Sequence, residues 1–193
     1  TTCVKPAGTT SLVLGTSSGI HAWHNDYYIR RLRVGKNEAI YKYLKAKHPE
    51  LVDDEYFRPH DTAVIEIPQS APKGSILRTE SAFDLMERVK RVATDWVTAG
   101  HEGGSNTHNV SATISLKKED WDKAGEWMWK NRTSYNGLSV LPYDGGTYTQ
   151  APFEDITKKK FEELVKLLQD VNLENVIEET DETDLSGELA CAG

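Results

Sequence analysis

The stretch KPAGTTSLVLGTSSGIH, residues 5–21, stands almost at the start of the 193-residue chain. Ten of its seventeen residues are Gly, Ser, Thr or Pro. Gly8 lets the chain turn tightly, and the hydroxyl residues Thr9, Thr10 and Ser11 follow at the predicted start of a short helix. Because backbone N–H groups at a helix start attract anions, the stretch predicts a cradle for phosphate. A capped helix without a ligand is the open alternative, and the Gly-Lys-Ser/Thr ending of a P-loop is missing.

Strands and helices alternate along the rest of the chain. Strands are predicted where β-branched and aromatic residues cluster or alternate, at residues 27–34, 62–68, 110–116 and 137–143. Helices are predicted from the spacing of apolar residues at 37–51, 81–100, 117–132 and 157–171, with Ser81 as a capping residue. This alternation indicates an α/β layering with a largely parallel sheet, and the four strands with their large loops resemble a slice of a larger sheet.

The composition is that of a globular protein, with 38% hydrophobic and 27% charged residues. No apolar run approaches the roughly 20 residues of a membrane span, and no signal peptide opens the sequence. Only two cysteines are present, Cys3 and Cys191, which is too few for a disulfide scaffold. We therefore expect a cytoplasmic protein with no membrane partner. No metal-ligand spacing occurs, so no metal site is predicted.

The net charge of −7 lies almost entirely at the C-terminus. Residues 174–193 carry seven acidic and no basic side chains, which leaves 23 acidic against 23 basic residues in 1–173. We expect residues 174–193 to form a flexible, solvated tail and residues 1–173 to form the folded part. The folded part is neutral and not basic, so no nucleic-acid partner is predicted.

Residues 5–34 resemble the substrate-phosphate loop and the following strand of ribonucleotide reductases. The resemblance is to the adenosylcobalamin-dependent (class II) branch, in its monomeric type. Three later stretches resemble the same branch in the same order: HNVSATISLKKEDW (108–121), SYNGLSVLP (134–142) and TYTQAPFEDIT (147–157). Two departures are visible, because Ala7 stands where the family commonly has serine and Ala22 where it commonly has proline.

The resemblance implies that residues 1–173 are the C-terminal portion of a ten-stranded α/β barrel. It implies an enzyme that reduces ribonucleoside triphosphates to deoxyribonucleotides by thiyl-radical chemistry started by adenosylcobalamin, with a thioredoxin-like reductant. The family's active-site cysteines and glutamate have no counterpart here, so they are expected upstream, in a remainder of the reductase that is a necessary partner. The isolated chain is then expected to be an inactive piece of that enzyme.

The resemblance also assigns roles to individual residues. The family's substrate-phosphate loop maps onto consecutive residues of this chain: Pro6, Ala7, Gly8, Thr9, Thr10 and Ser11. His21 and Tyr148 are expected near the substrate, although packing is an open alternative for both. Cys191 resembles the first cysteine of a redox pair on the C-terminal tail, and Cys3 is expected to be a small buried residue. Arg30 and Arg31 are adjacent on a predicted strand and so should point to opposite faces.

A different class of function also fits parts of the sequence. The chain could be a stand-alone nucleotide-phosphate-binding or regulatory module without redox activity. The glycyl-radical branch of the reductases is excluded as an interpretation, because no glycyl loop of the RVxGY kind occurs near the C-terminus. A stand-alone module should be stable by itself, whereas a piece of a barrel should leave strand edges and apolar faces uncovered.

Overall fold

A computed structural model describes residues 4–143, 145 and 148–177. The chain divides into two compact units: Thr1–Trp23 with Lys73–Gly146, and His24–Pro72 with Thr147–Gly193. We call these the first and the second unit. No helix of the described ranges is long and apolar enough to cross a bilayer.

The second unit is built on an antiparallel sheet. Its strands are β1 (Tyr27–Gly35), β2 (Val52–Asp54), β3 (Thr62–Ser70) and β6 (Phe153–Asp155), in the order β2-β3-β1-β6. All nine residues of β1 pair with β3, from Tyr27 opposite Ser70 to Gly35 opposite Thr62. The prediction of a largely parallel sheet is wrong for this unit, because the short strand β2 turns back directly into β3 and so reverses the chain.

Two helices cover part of this sheet. They are α2 (Ala39–Lys47) and α5 (Lys158–Leu168). The buried core beneath them contains Leu44, Leu51, Val52, Ala63 and Ile65, and α5 adds Leu167 and Leu168. The strands and helices predicted at 27–34, 37–51, 62–68 and 157–171 are therefore confirmed, each within a few residues at its ends.

The first unit contains the short helix α1 (Thr9–Val13), α3 (Ala82–Val92), β4 (Thr113–Leu116), α4 (Trp121–Lys130) and β5 (Ser139–Pro142). Here β4 and β5 do pair in parallel, and Val4 forms a parallel bridge with Val110. The core combines α3 and β4, with Met86, Val89, Ile114 and Leu116 almost fully buried. The helix predicted at 81–100 changes after Val92 into a π-helical stretch, Ala93–Thr98.

A capping box starts α3, as the serine in the sequence predicts. The Asp84 N–H donates to Ser81 Oγ, and the Ser81 N–H donates to Asp84 Oδ2 at 3.0 Å. The hydrogen bonds from the Ser81 hydroxyl and its backbone N–H lower the pKa of Asp84 below its usual range. A lowered carboxyl pKa stabilises the fold above the unfolded-state pKa, and this contribution is lost as the pH falls through the folded-state pKa.

Replacing Ser81 by alanine is expected to cost about 1 kcal/mol in the free energy of unfolding near pH 7. The loss should shrink as the pH falls below about 4, where the unfolded-state carboxyl begins to protonate, and further as the pH falls through the lowered folded-state pKa of Asp84. Urea unfolding at pH 7 and pH 3 measures both effects. Thr157→Ala is the matched control, because the Thr157 hydroxyl caps α5 without a carboxylate partner. Equal pH dependence in both variants would contradict the role assigned to Asp84.

Candidate functional site

The loop before α1 ends in a residue that offers no side chain to the helix. Gly8 is the N-cap residue, and no side-chain hydrogen bond caps α1. The first four backbone N–H groups, counted from the N-cap, have no partner within a helix, so those of residues 8–11 can donate to an external acceptor. A Cβ added at Gly8 would meet no atom within 4 Å. The backbone at Gly8 is therefore open to a ligand that needs close approach.

Ser11 has a different role from the one expected of a phosphate ligand. Its side-chain hydroxyl donates to the backbone carbonyls of Ala7, at 2.6 Å, and Gly8, at 2.8 Å. The residue is only 6% exposed. Its hydroxyl proton thus closes the loop internally and is not available to a ligand.

A second turn, at residues 16–21, packs against the backbone at the start of the loop. Gly19 has a φ of +59°, a conformation that favours glycine. A Cβ built on Gly19 would lie 2.7 Å from the Lys5 carbonyl oxygen and 3.3 Å from the Pro6 Cα. The two backbone segments therefore touch directly, and only a residue without a side chain fits between them.

His21 joins this second turn to β4. The Thr113 N–H donates to His21 Nε2 at 3.2 Å, so that nitrogen carries no proton. His21 Nδ1 then carries the proton and donates to the Ser18 carbonyl at 2.9 Å. Both ring nitrogens are thus engaged within the unit. The expected approach of His21 to a substrate stays a prediction, and its contacts here are structural.

An ion pair between Glu80 and Arg88, of which Arg88 lies on α3, holds the second turn. Arg88 Nη1 donates to the Ile20 carbonyl at 3.0 Å and to Glu80 Oε1 at 3.0 Å. The hydrogen bond to Glu80 raises the pKa of the Arg88 guanidinium. The sequence marks Gly19 only as the glycine that closes GTSSG and breaks the short helix, and nothing in the sequence marks Arg88.

The other residues singled out in the sequence lie elsewhere. Tyr148 belongs to the second unit and is 59% exposed. Arg30 and Arg31 do face opposite sides of β1, as predicted, since Arg31 pairs with Glu66 while Arg30 lies over the Phe153 ring. Cys3 and Cys191 lie outside the described residues, and so does the greater part of the acidic segment 174–193.

The chain is similar to known proteins over almost its whole length. It is 33% identical over 187 residues to the adenosylcobalamin-dependent ribonucleoside-triphosphate reductase of Euglena gracilis, covering 93% of this chain. It is 30% identical to the enzyme of the same name from Lactobacillus gasseri, covering 97% of this chain. A crystal structure of a B12-dependent (class II) ribonucleotide reductase superposes with a TM-score of 0.72 at 27% identity, covering 90% of this chain. The chain is a relative of the class II ribonucleotide reductases.

The chain spans about a quarter of the length of these reductases: 24% of each of the two relatives and 23% of the solved structure. The predicted fold class, part of the α/β barrel of a reductase, is confirmed by the structural match. A scan against protein-family models found no match.

Two clefts in the described part of the chain do not fit adenosylcobalamin. Both are lined mostly by polar and charged side chains. One lies along α3 (Ile76, Glu80, Asp84, Glu87, Arg88, Arg91) and the other lies between α2 and the end of α5 (Tyr43, Lys47, His48, Asp170, Asn175). Neither offers a broad apolar surface to a corrin ring, so no chemical step is assigned to the cofactor at these residues.

Proposed function

We propose that this chain supplies the substrate-phosphate loop of a class II ribonucleotide reductase that reduces ribonucleoside triphosphates to deoxyribonucleotides. The observation that carries the proposal is the open, uncapped start of α1 at Gly8, on a loop whose sequence resembles the family's phosphate loop. The similarity to reductases runs along nearly the whole chain, which favours this function over a stand-alone nucleotide-binding module.

In this proposal the backbone does the binding. The N–H groups of residues 8–11 donate to phosphate oxygens, and the missing side chain at Gly8 lets the phosphate approach the backbone. Ser11 closes the loop through Ala7 and Gly8, while Gly19 holds the loop against the second turn. Hydrogen bonds to an anion are charge-assisted, so several fixed N–H donors can orient a triphosphate.

The remaining parts of the activity are proposed for the complete enzyme. Adenosylcobalamin, bound by the full enzyme, would supply the radical that begins the reduction. The active-site cysteines would come from the remainder of the reductase, and a thioredoxin-like protein would be the reductant. Residues 1–173 would form part of the barrel. Residues 174–193 would form a flexible tail whose Cys191 takes part in dithiol exchange. His21 and Tyr148 would lie near the substrate, and the enzyme would act in the cytoplasm.

Titration of the ¹⁵N-labelled chain with inorganic triphosphate tests the loop assignment. The amide resonances of residues 8–11 are expected to shift saturably, because their N–H groups gain an acceptor. Sodium chloride at equal ionic strength is the control, and the amides of α4 should not respond. Shifts spread evenly over both units, or no saturation, would overturn the assignment.

The isolated chain is expected to show no reductase activity, because the active-site cysteines are missing.

A further inference from the structure

Two neighbouring arginines on β1 have opposite surroundings. Arg31 Nε donates to Glu66 at 2.7 Å, its Nη2 donates to Glu154, and its Nη1 donates to the Ala151 carbonyl at 3.1 Å. Arg30 has no carboxylate or carbonyl partner among residues 4–143, 145 and 148–177. A guanidinium that loses part of its hydration on burial needs hydrogen-bond acceptors in place of water. Arg31 has such acceptors, and Arg30 has none among the described residues.

The surroundings of Arg30 hold its guanidinium in one place. Its Cζ lies over the ring of Phe153, 5.1 Å from the centroid. The Tyr28 ring lies 5.9 Å from the Phe153 ring, and the His24 ring stacks on Phe153 at 5.0 Å. Stacking on an aromatic face leaves the edge of a guanidinium free for hydrogen bonds in its own plane.

Burial affects only part of this guanidinium. Arg30 Nε is buried and is the one such side-chain atom without a hydrogen-bond partner in the described part of the chain. The terminal nitrogens Nη1 and Nη2 are not buried, so the end of the fork is open to a ligand. Partial burial also lowers the pKa of Arg30, which is consistent with a cation that lacks a compensating anion.

We propose that Arg30 is a binding position for a carboxylate group that the described residues do not supply. The planar fork of Nη1 and Nη2 matches a carboxylate, which can accept two parallel hydrogen bonds. Asp155, opposite Tyr28 on the same face, is paired with His24 at 3.0 Å. The negative charge of Asp155 repels a phosphate dianion about twice as strongly as a monoanion. This site is independent of the proposed phosphate loop, which belongs to the other unit.

The carboxylate can come from outside this chain or from the chain itself. A small carboxylate ligand or an acidic side chain of the remainder of the reductase is the outside source. A carboxylate side chain of the polypeptide is the other, and residues 178–193 carry six acidic and no basic residues. Both would present the same group to Nη1 and Nη2, so the experiment needs one arm for each.

Arginine side-chain NMR on the full 193-residue chain tests the proposal. Sodium acetate is the probe, and sodium chloride at equal ionic strength is the control. The Nε–Hε and Nη–Hη resonances of Arg30 are expected to shift saturably with acetate. Those of Arg31 should follow the chloride control, because its donors already have acceptors. The variant Arg30→Lys identifies the Arg30 signals, and the Phe153 ring protons give a second readout in the unmodified chain.

The second arm uses the chain shortened after Ile177. Saturation by acetate in the full chain would assign the occupant to a carboxylate from outside this chain. Saturation only in the shortened chain, with a change in the Arg30 signals on shortening, would assign the occupant to residues 178–193. The proposal is overturned if Arg30 follows the chloride control in both chains, or if inorganic phosphate binds at Arg30 more tightly than acetate.

Discussion

Gly19→Ala is expected to lower the free energy of unfolding of the first unit by about 3 kcal/mol. The φ of +59° at Gly19 costs a residue with a Cβ on the order of 1–2 kcal/mol. The new Cβ would also lie 2.7 Å from the Lys5 carbonyl oxygen, which is backbone and cannot rotate away. Forcing an extra carbon into such a contact adds about 1–3 kcal/mol. Urea unfolding followed by circular dichroism measures the total.

Gly15→Ala is the matched control for this prediction. Gly15 has nearly the same φ, +60°, but a Cβ there meets no atom within 4 Å. Replacing Gly15 by alanine should therefore lower the free energy of unfolding only by the cost of the positive φ, on the order of 1–2 kcal/mol. The difference between the two variants measures the contact between the second turn and the loop. Equal losses would show that Gly19 does not support the loop in this way.

Gly8→Leu is expected to abolish triphosphate binding while the chain stays folded. A Cβ at Gly8 meets no atom within 4 Å, so the leucine side chain starts in open space and is expected to occupy the position proposed for the phosphate. Losing two charge-assisted hydrogen bonds, each worth about 1.5–3 kcal/mol, corresponds to a loss of affinity of about 100-fold or more. In a complete reductase carrying this change, substrate binding should be lost in the same way. Isothermal titration with inorganic triphosphate measures the effect in the chain itself.

The control for Gly8→Leu is Gly125→Leu on α4. A Cβ at Gly125 also meets no atom within 4 Å, so both variants add an exposed apolar side chain. Gly125→Leu should keep wild-type affinity and should not lower stability, since leucine is a better helix former than glycine. Wild-type affinity in Gly8→Leu would remove the loop from the phosphate site, whatever the stability of the variant.

The longer strands and helices were predictable because their patterns of apolar and polar residues repeat over more positions. Strand β1 and strand β3 extend over nine residues each, and the amphipathic α3 begins at a serine that caps it. The strands β2 and β6 have only three residues, which is too short for a pattern to emerge from the surrounding loops. Missing β2 also led to the wrong strand direction, because that strand shows where the chain turns back.

The candidate loop was predictable as a loop but not in its internal contacts. Glycine and hydroxyl residues predict a tight turn at a helix start, and α1 does begin at Thr9. Nothing in the sequence says that the Ser11 hydroxyl points inward to Ala7 and Gly8. The contact of Gly19 with Lys5 joins residues 14 positions apart, and the hydrogen bond of His21 to Thr113 joins residues 92 positions apart. Such pairs depend on the folded backbone and have no local signal.

The path of the chain through the two units bears on how the protein is made. The chain passes between the units three times, after Trp23, Pro72 and Gly146. On the ribosome, Val4 emerges before Val110, so their bridge forms only after a delay on the order of 5–20 s at ordinary rates of synthesis. The pairing of β1 with β3 is complete by Ser70. The phosphate loop is thus synthesised well before the segment around Val110 that pairs next to it, and no single proteolytic cut within this chain releases either unit in one piece.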